Sequence, residues 1–281
     1  MPATTQQVLS LSGLIAISVA AGASACVVED TTVEGVIASS EQALQAGNGL
    51  HLNNGLLLKN GLYLDDGTPL LNGLAVGFGL STSSGLASEA GLSSSAGFMT
   101  SPAGRKLVQY MVECALPLGH SITKTGPGQT TYTFEGRVGL APGWERGACG
   151  HDCQQWVSAC LLARTNALGE TVAIEMVASH PAIGDTRTQP GTYVHEEAGF
   201  YGNLFANPPR AYTCQGRQVA EASHHGRVCG LTPWESCGFE NQVGACYDAN
   251  SCSAESGDAY VDCRDGAGTS YRTITTFTAP M

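Results

Sequence analysis

Asn48 to Phe98 reads NGLHLNNGLLLKNGLYLDDGTPLLNGLAVGFGLSTSSGLASEAGLSSSAGF, and the spacing of its glycines decides how the first third of the chain is read. Gly49, Gly55, Gly61, Gly67, Gly73, Gly79, Gly85, Gly91 and Gly97 recur every six residues without a break. Leu or Phe follows each of them except Gly67, which precedes Thr68. A second apolar residue comes two places later at Leu52, Leu58, Leu64, Leu70 and Val76. Apolar alternation punctuated by Asn-Gly or Asp-Gly is a strand-and-turn pattern. A meander of short strands with two-residue turns fails on facing, because Lys59 would pair with Leu62 and successive leucines would alternate sides. A parallel solenoid instead stacks Leu50, Leu56 and Leu62 inward and gives each Asn-Gly the positive φ that a corner requires. The expectation for 47–100 is a short hexapeptide-repeat β-solenoid or an extended stalk. The extended form is expected towards the end, where the second apolar position becomes Thr82, Ser88, Ser94 and Thr100. His51 is the only histidine of the repeat and so short a coil offers no deep cleft, so a spacer is expected rather than a hexapeptide acyltransferase.

Upstream of the repeat, residues 1–25 read as a signal peptide: an apolar stretch from Val8 to Ala21 leads to Ala23-Ser24-Ala25 before Cys26. No Lys or Arg precedes the apolar stretch, which departs from the usual pattern. Ala-Ser-Ala-Cys suits ordinary signal peptidase and also resembles a bacterial lipobox, and both readings expose Cys26 as the first mature residue. Cysteine arithmetic favours a lipid there. The chain has eleven cysteines, and setting Cys26 aside leaves ten that can all pair: Cys114, Cys149, Cys153, Cys160, Cys214, Cys229, Cys237, Cys246, Cys252 and Cys263. So many cysteines argue for an oxidising compartment, either outer membrane with a lipid anchor or extracellular. Residues 26–46 are small, polar and without apolar period, a flexible tether.

Residues 1–100 carry one basic residue, Lys59, against seven acidic ones, and residues 101–281 carry twelve against seventeen. Neither part reads as a nucleic-acid binder. A net charge of −11 also argues against docking on anionic head groups, so membrane attachment is expected only through the lipid.

Residues 101–281 are long enough for one domain with its own core. Apolar residues at helical spacing predict a helix over 104–116, with Leu107, Tyr110, Met111, Cys114 and Ala115 on one face. A second is predicted over 152–166 with Cys153, Trp156, Val157, Cys160 and Leu161. Extended runs are predicted at Thr130 to Phe134, Thr171 to Val177, Gly199 to Phe205, Tyr260 to Cys263 and Tyr271 to Phe277. The mixture is an α+β, disulfide-rich C-terminal domain. Gly136-Arg137-Val138 through Pro142-Gly143-Trp144-Glu145 lies over Gly226-Arg227-Val228 through Pro233-Trp234-Glu235, which implies two related halves, 105–190 and 207–281. With four cysteines in one half and six in the other, no disulfide is expected to join them.

The chain resembles a family of Cys-rich exported proteins of Gram-negative bacteria that carry tandem Asn-Gly-Leu repeats before a domain. The resemblance rests on the repeat, on the opening Gly104-Arg105-Lys106-Leu107-Val108, and on Tyr132-Thr133-Phe134 and Ser158-Ala159-Cys160. It covers most of 48–214 and implies export and architecture, with no activity attached.

Motifs with chemistry are few. Cys149-Gly150-His151-Asp152-Cys153 could hold zinc as thiolates, but in an exported chain these cysteines are expected as disulfide halves. His195-Glu196-Glu197 lacks the second histidine of a zincin, since Gly199 stands in its place. His224 and His225, with Glu221 nearby, read as loop histidines. No Gly-x-Ser-x-Gly elbow occurs. Asp248, Asn250, Glu255, Asp258, Asp262 and Asp265 do not follow calcium-loop spacing and read as a solvated acidic segment. Trp144 with Glu145 and Trp234 with Glu235 are the candidate ligand-binding residues: exposed, each pair would offer a ring to stack on a sugar and a carboxylate to accept its hydroxyls. Buried, the rings would instead pack against a disulfide. No catalytic residue, metal or cofactor is assigned. The expected role is binding or scaffolding at the cell envelope, with an envelope polysaccharide or protein as partner. A secreted hydrolase or a purely structural stalk is the alternative.

Overall fold

A computed structural model describes residues 50–54, 56–59, 63–64, 74, 78–166, 172–219 and 240–280. Its helices are α1 (Pro102–Ala115) and α2 (His151–Ala163). The strands of the first part are β1 (Leu50–Asn54), β2 (Leu56–Lys59), β3 (Tyr63–Leu64), β4 (Ser121–Thr125), β5 (Thr131–Glu135), β6 (Thr165–Asn166) and β7 (Val172–Val177). Those of the second are β8 (His195–Asn203), β9 (Arg210–Gln215), β10 (Glu240–Ala245), β11 (Ala254–Ser256), β12 (Ala259–Val261), β13 (Cys263–Arg264), β14 (Ser270–Tyr271) and β15 (Thr273–Thr278). Sheets predominate, with two α-helices and the disulfides in the C-terminal region, so the α+β expectation holds at this level.

The first helix begins where the sequence caps it. The Ser101 side chain accepts the Gly104 amide at 3.0 Å, and Pro102 occupies the first turn, where no amide is needed. Leu107, Met111, Cys114 and Ala115 are buried as expected, and Tyr110 is half-buried. In the second helix every residue from Gln155 to Ala163 is buried, because it is packed on two sides: against α1, and against β8 and β15. Cys114–Cys160 and a buried Glu113–Arg164 ion pair, 2.5 Å long, tie the helices together.

The main sheet has six strands in the order β1-β7-β15-β8-β9-β10, antiparallel except for β9 with β10. Its two faces are covered differently. Ile174, Met176, Ala198, Phe200, Ala211 and Ile274 join the core under the helices. Tyr201, Tyr212 and Cys214 meet Cys246, Cys252, Tyr260, Cys263 and Tyr271 on the other face. The 105–190 and 207–281 segments share this sheet, since β15 pairs directly with β7.

The solenoid and the extended stalk do not hold for the described part of the repeat. Strand β1 is an edge strand of the main sheet, paired antiparallel with β7, and β2 pairs with β6 and with β3. Lys59 pairs with Tyr63 rather than with Leu62, and Leu58 with Leu64. Further on, the repeat folds back on itself: Ser81 donates to the Gly91 carbonyl (2.8 Å), Ser93 to Gly79 (2.6 Å) and Phe98 to Phe78 (3.0 Å). Leu74, Leu80, Leu86, Leu92 and Phe98 are all buried in the core beneath the helices. One large apolar residue per hexad is enough, since burying each contributes about 2 kcal/mol.

Candidate functional site

The loop that carries Trp144 and Glu145 is a turn of 3-10 helix, Pro142–Glu145. Its indole is 1% exposed and stands edge-on to Phe205 with ring centroids 5.5 Å apart, so it offers no stacking platform. The expectation of Trp144 as a ligand-binding residue is therefore corrected: the ring is core. What the loop holds is the chain's own repeat. The carbonyls of Trp144 and Glu145 accept the amides of Leu86 and Ala87 at 2.9 and 3.0 Å, and a Cβ at Gly85 would fall 2.4 Å from the backbone of Arg146. The Glu145 carboxylate points the other way, 2.6 Å from His120 Nδ1, and accepts from Arg146 Nε at 3.1 Å. The His120 contact, foremost, holds the Glu145 carboxyl below its ordinary range. Trp234 and Glu235, together with Cys26, Cys229, Cys237, His224 and His225, lie outside the described residues.

Eight of the predicted cysteines are paired: Cys114–Cys160, Cys149–Cys153, Cys214–Cys246 and Cys252–Cys263. None of these four bridges crosses between 105–190 and 207–281. The Cys149–Cys153 bond removes the thiolates a zinc site would need there. The acidic residues around Cys252 disperse to separate partners rather than converge: Asp258 to Arg187, Glu255 to Arg217, Asp262 to Arg272, and Asp265 to the amides of Ala267 and Thr269.

A different constellation assembles on the disulfide face. Between Ala198, opposite Thr276, and Glu196, opposite Phe277, strand β8 carries one extra residue, Glu197, a β-bulge against β15. The bulge reverses the alternation and aims Glu196 at the β11–β12 hairpin instead of at α2. There it accepts the hydroxyl of Tyr260 in a very short contact, the backbone amide of Arg217 at 2.9 Å, and Arg217 Nη1 at 3.0 Å. The second arm of Arg217 donates to Glu255 Oε1 at 2.5 Å. Its guanidinium also lies 5.2 Å from the ring centre of Tyr247 and 5.8 Å from that of Tyr260. Burial, and then the Glu196 hydrogen bond, push the Tyr260 hydroxyl well above its usual pKa.

Glu196 is inside the cluster with 11% of its side chain exposed, while Arg217 and Glu255 are 46% and 44% exposed. Tyr247, 53% exposed, is one of two large apolar residues most open to solvent among the described residues. The site is thus an exposed ring and carboxylate fixed from below by a buried carboxylate and a shared guanidinium. Sequence reasoning missed it because its members come from four separated segments with no common motif. The one available signal is that Arg217, Tyr247, Glu255 and Tyr260 each stand within three residues of a cysteine.

No family model, curated protein or solved structure matches the chain.

Proposed function

We propose that this is an exported binding or scaffolding protein of the cell envelope, anchored through a lipid on Cys26, whose ligand site is the Tyr247–Arg217–Glu255 surface. The observation that carries the reading is the exposed Tyr247 ring set beside a half-exposed carboxylate and guanidinium held rigid by Glu196 and Tyr260. Such an arrangement stacks on a sugar ring and exchanges hydrogen bonds with its hydroxyls. An envelope polysaccharide is the ligand class proposed. The four disulfides are compatible with an extracellular or envelope location, and among the described residues no helix is long and apolar enough to cross a membrane.

Retention on immobilised envelope polysaccharide tests the reading. Tyr247→Ala should weaken retention by about tenfold or more, equivalent to about 1.4 kcal/mol, with the denaturation midpoint unchanged. Unchanged retention in that variant would overturn it. A secreted hydrolase is the second reading, favoured by the His120–Glu145 pair, in which a carboxylate orients a half-exposed imidazole. Turnover of an ester, glycoside or peptide that disappears in His120→Gln would put that reading first.

A further inference from the structure

The two disulfides beneath the proposed site touch each other. Cys214 Sγ lies 3.9 Å from Cys252 Sγ, and the sulfurs of Cys214, Cys246 and Cys252 all lie within 4.8 Å of one another. Gly199 makes this approach possible, since a Cβ there would meet Cys214 Sγ at 3.0 Å and Cys246 Sγ at 3.1 Å. The Gly199 amide also donates to Cys246 Sγ at 3.2 Å. These bonds pin the site from both sides. Cys246 is followed directly by Tyr247, Cys214 stands three residues before Arg217, and the loop closed by Cys252–Cys263 contains Glu255 and Tyr260.

We propose that the four cysteines form a thiol–disulfide exchange relay that releases the site on reduction. The gating part rests on the binding reading above; the exchange itself does not. The reductant is a dithiol, and its first target is Cys252, the most exposed of the four at 4%. A dithiol thiolate attacks Cys252 Sγ, and Cys263 leaves as thiolate. The second dithiol sulfur closes on the first, forming the cyclic disulfide and freeing Cys252 as thiolate. Cys252 then attacks Cys214 Sγ across the 3.9 Å gap, forming Cys214–Cys252 and expelling Cys246. The amide of Gly199 faces the sulfur that must take up the negative charge, so the leaving group is stabilised where it forms. The dithiol loses two electrons and two protons, and Cys246 and Cys263 end as thiols. Cys246 then ties Tyr247 to β9 only through its amide on the Gln215 carbonyl, at 2.8 Å, so the ring is loosened from its place beside Arg217.

The test is limited reduction with one equivalent of dithiothreitol, quenching with iodoacetamide, and peptide mapping without further reduction. The relay predicts alkylated Cys246 and Cys263 and a peptide joined through Cys214 and Cys252. Alkylation of Cys252 and Cys263 with Cys214–Cys246 intact would overturn it. In Cys252→Ala/Cys263→Ala the same treatment should leave Cys246 unmodified; alkylation there would show direct reduction and also overturn the relay. Retention on envelope polysaccharide is read on the same samples and should fall about tenfold in step with Cys246 alkylation. Mapping as predicted with unchanged retention would keep the exchange and reject gating of the site.

Discussion

Lys124 is the single residue on which the placement of the repeat turns most directly. It occupies an inward position of β4, two residues after buried Ile122, where the alternation calls for an apolar side chain. The amine is instead fully used: Nζ donates to the carbonyls of Ala87 (3.2 Å), Ser88 (2.6 Å) and Leu92 (2.7 Å). Burial lowers its pKa, and the charge of Glu89 opposes that shift. A cation reaching three carbonyls adds a polar tie to the one that Leu80, Leu86, Leu92 and Phe98 make with the core. Lys124→Met keeps the stem and removes the donors, so it should destabilise the protein by about 2 kcal/mol or more. The expected signature is a lower denaturation midpoint together with faster proteolysis within 81–97. Equal midpoints for variant and parent would show that these contacts contribute nothing net.

At the scale of elements, the described hexad glycines Gly79, Gly85, Gly91 and Gly97 are spacers between backbones, and Gly79 and Gly97 also take the positive φ of a turn, +68° and +62°. A Cβ at Gly91 would lie 1.9 Å from the Gly85 carbonyl oxygen, a clash of backbone on backbone that no rotamer relieves. Gly143, by contrast, has nothing within 4 Å of its would-be Cβ. Gly91→Ala should therefore cost about 3 kcal/mol and Gly143→Ala within about 0.5 kcal/mol of zero, measured by chemical denaturation. Similar costs at the two positions would refute the spacer account. Both helices were legible in the sequence, because Leu107, Met111, Cys114 and Trp156, Val157, Cys160 repeat at helical spacing and bury on that face. The repeat was legible in its facing and not in its partner. Periodicity marks which side of a segment is apolar, and Leu80, Leu86 and Leu92 do point inward, but it is silent on whether the cover is another hexad or a helix. Strand β4 went unseen because Lys124 breaks the apolar alternation that would have marked it. The Glu196–Arg217–Tyr247 cluster was illegible for a different reason: a bulge at Glu197 aims its central carboxylate, and bulges leave no signature in a single sequence.

For the molecule as a whole, the two faces of the sheet rest on different physics. The helix face is a mixed apolar core in which aliphatic residues surround Phe98, Trp144, Trp156 and Phe200, while the opposite face is built from tyrosines around two touching disulfides. Tyr201, Tyr212 and Tyr271 lean on one another, tilted by 31° to 48°, with ring centroids 5.4 to 6.2 Å apart. The Tyr201 hydroxyl donates to the Arg264 carbonyl at 2.9 Å and the Tyr271 hydroxyl to Asp265 at 3.1 Å. Burial, first of all, raises the pKa of Tyr201, Tyr260 and Tyr271 above the ordinary value of 10.0. The sign of the consequence follows from which state holds the proton. Above pH 10 the unfolded chain gives up its tyrosine protons while the folded chain keeps them, so unfolding is drawn forward by proton release. This layer's contribution should be fully present below about pH 10 and should be lost as the pH rises through the raised values. Denaturant midpoints taken across alkaline pH, with tyrosinate absorbance followed in parallel, check it. In the parent protein the tyrosinate signal of the buried rings should appear together with unfolding, and Tyr201→Phe/Tyr271→Phe should show a shallower alkaline loss of stability. Tyrosinate forming along the ordinary curve while the fold persists would mean that the layer is open to water, and the account of a sealed tyrosine–disulfide face would fail.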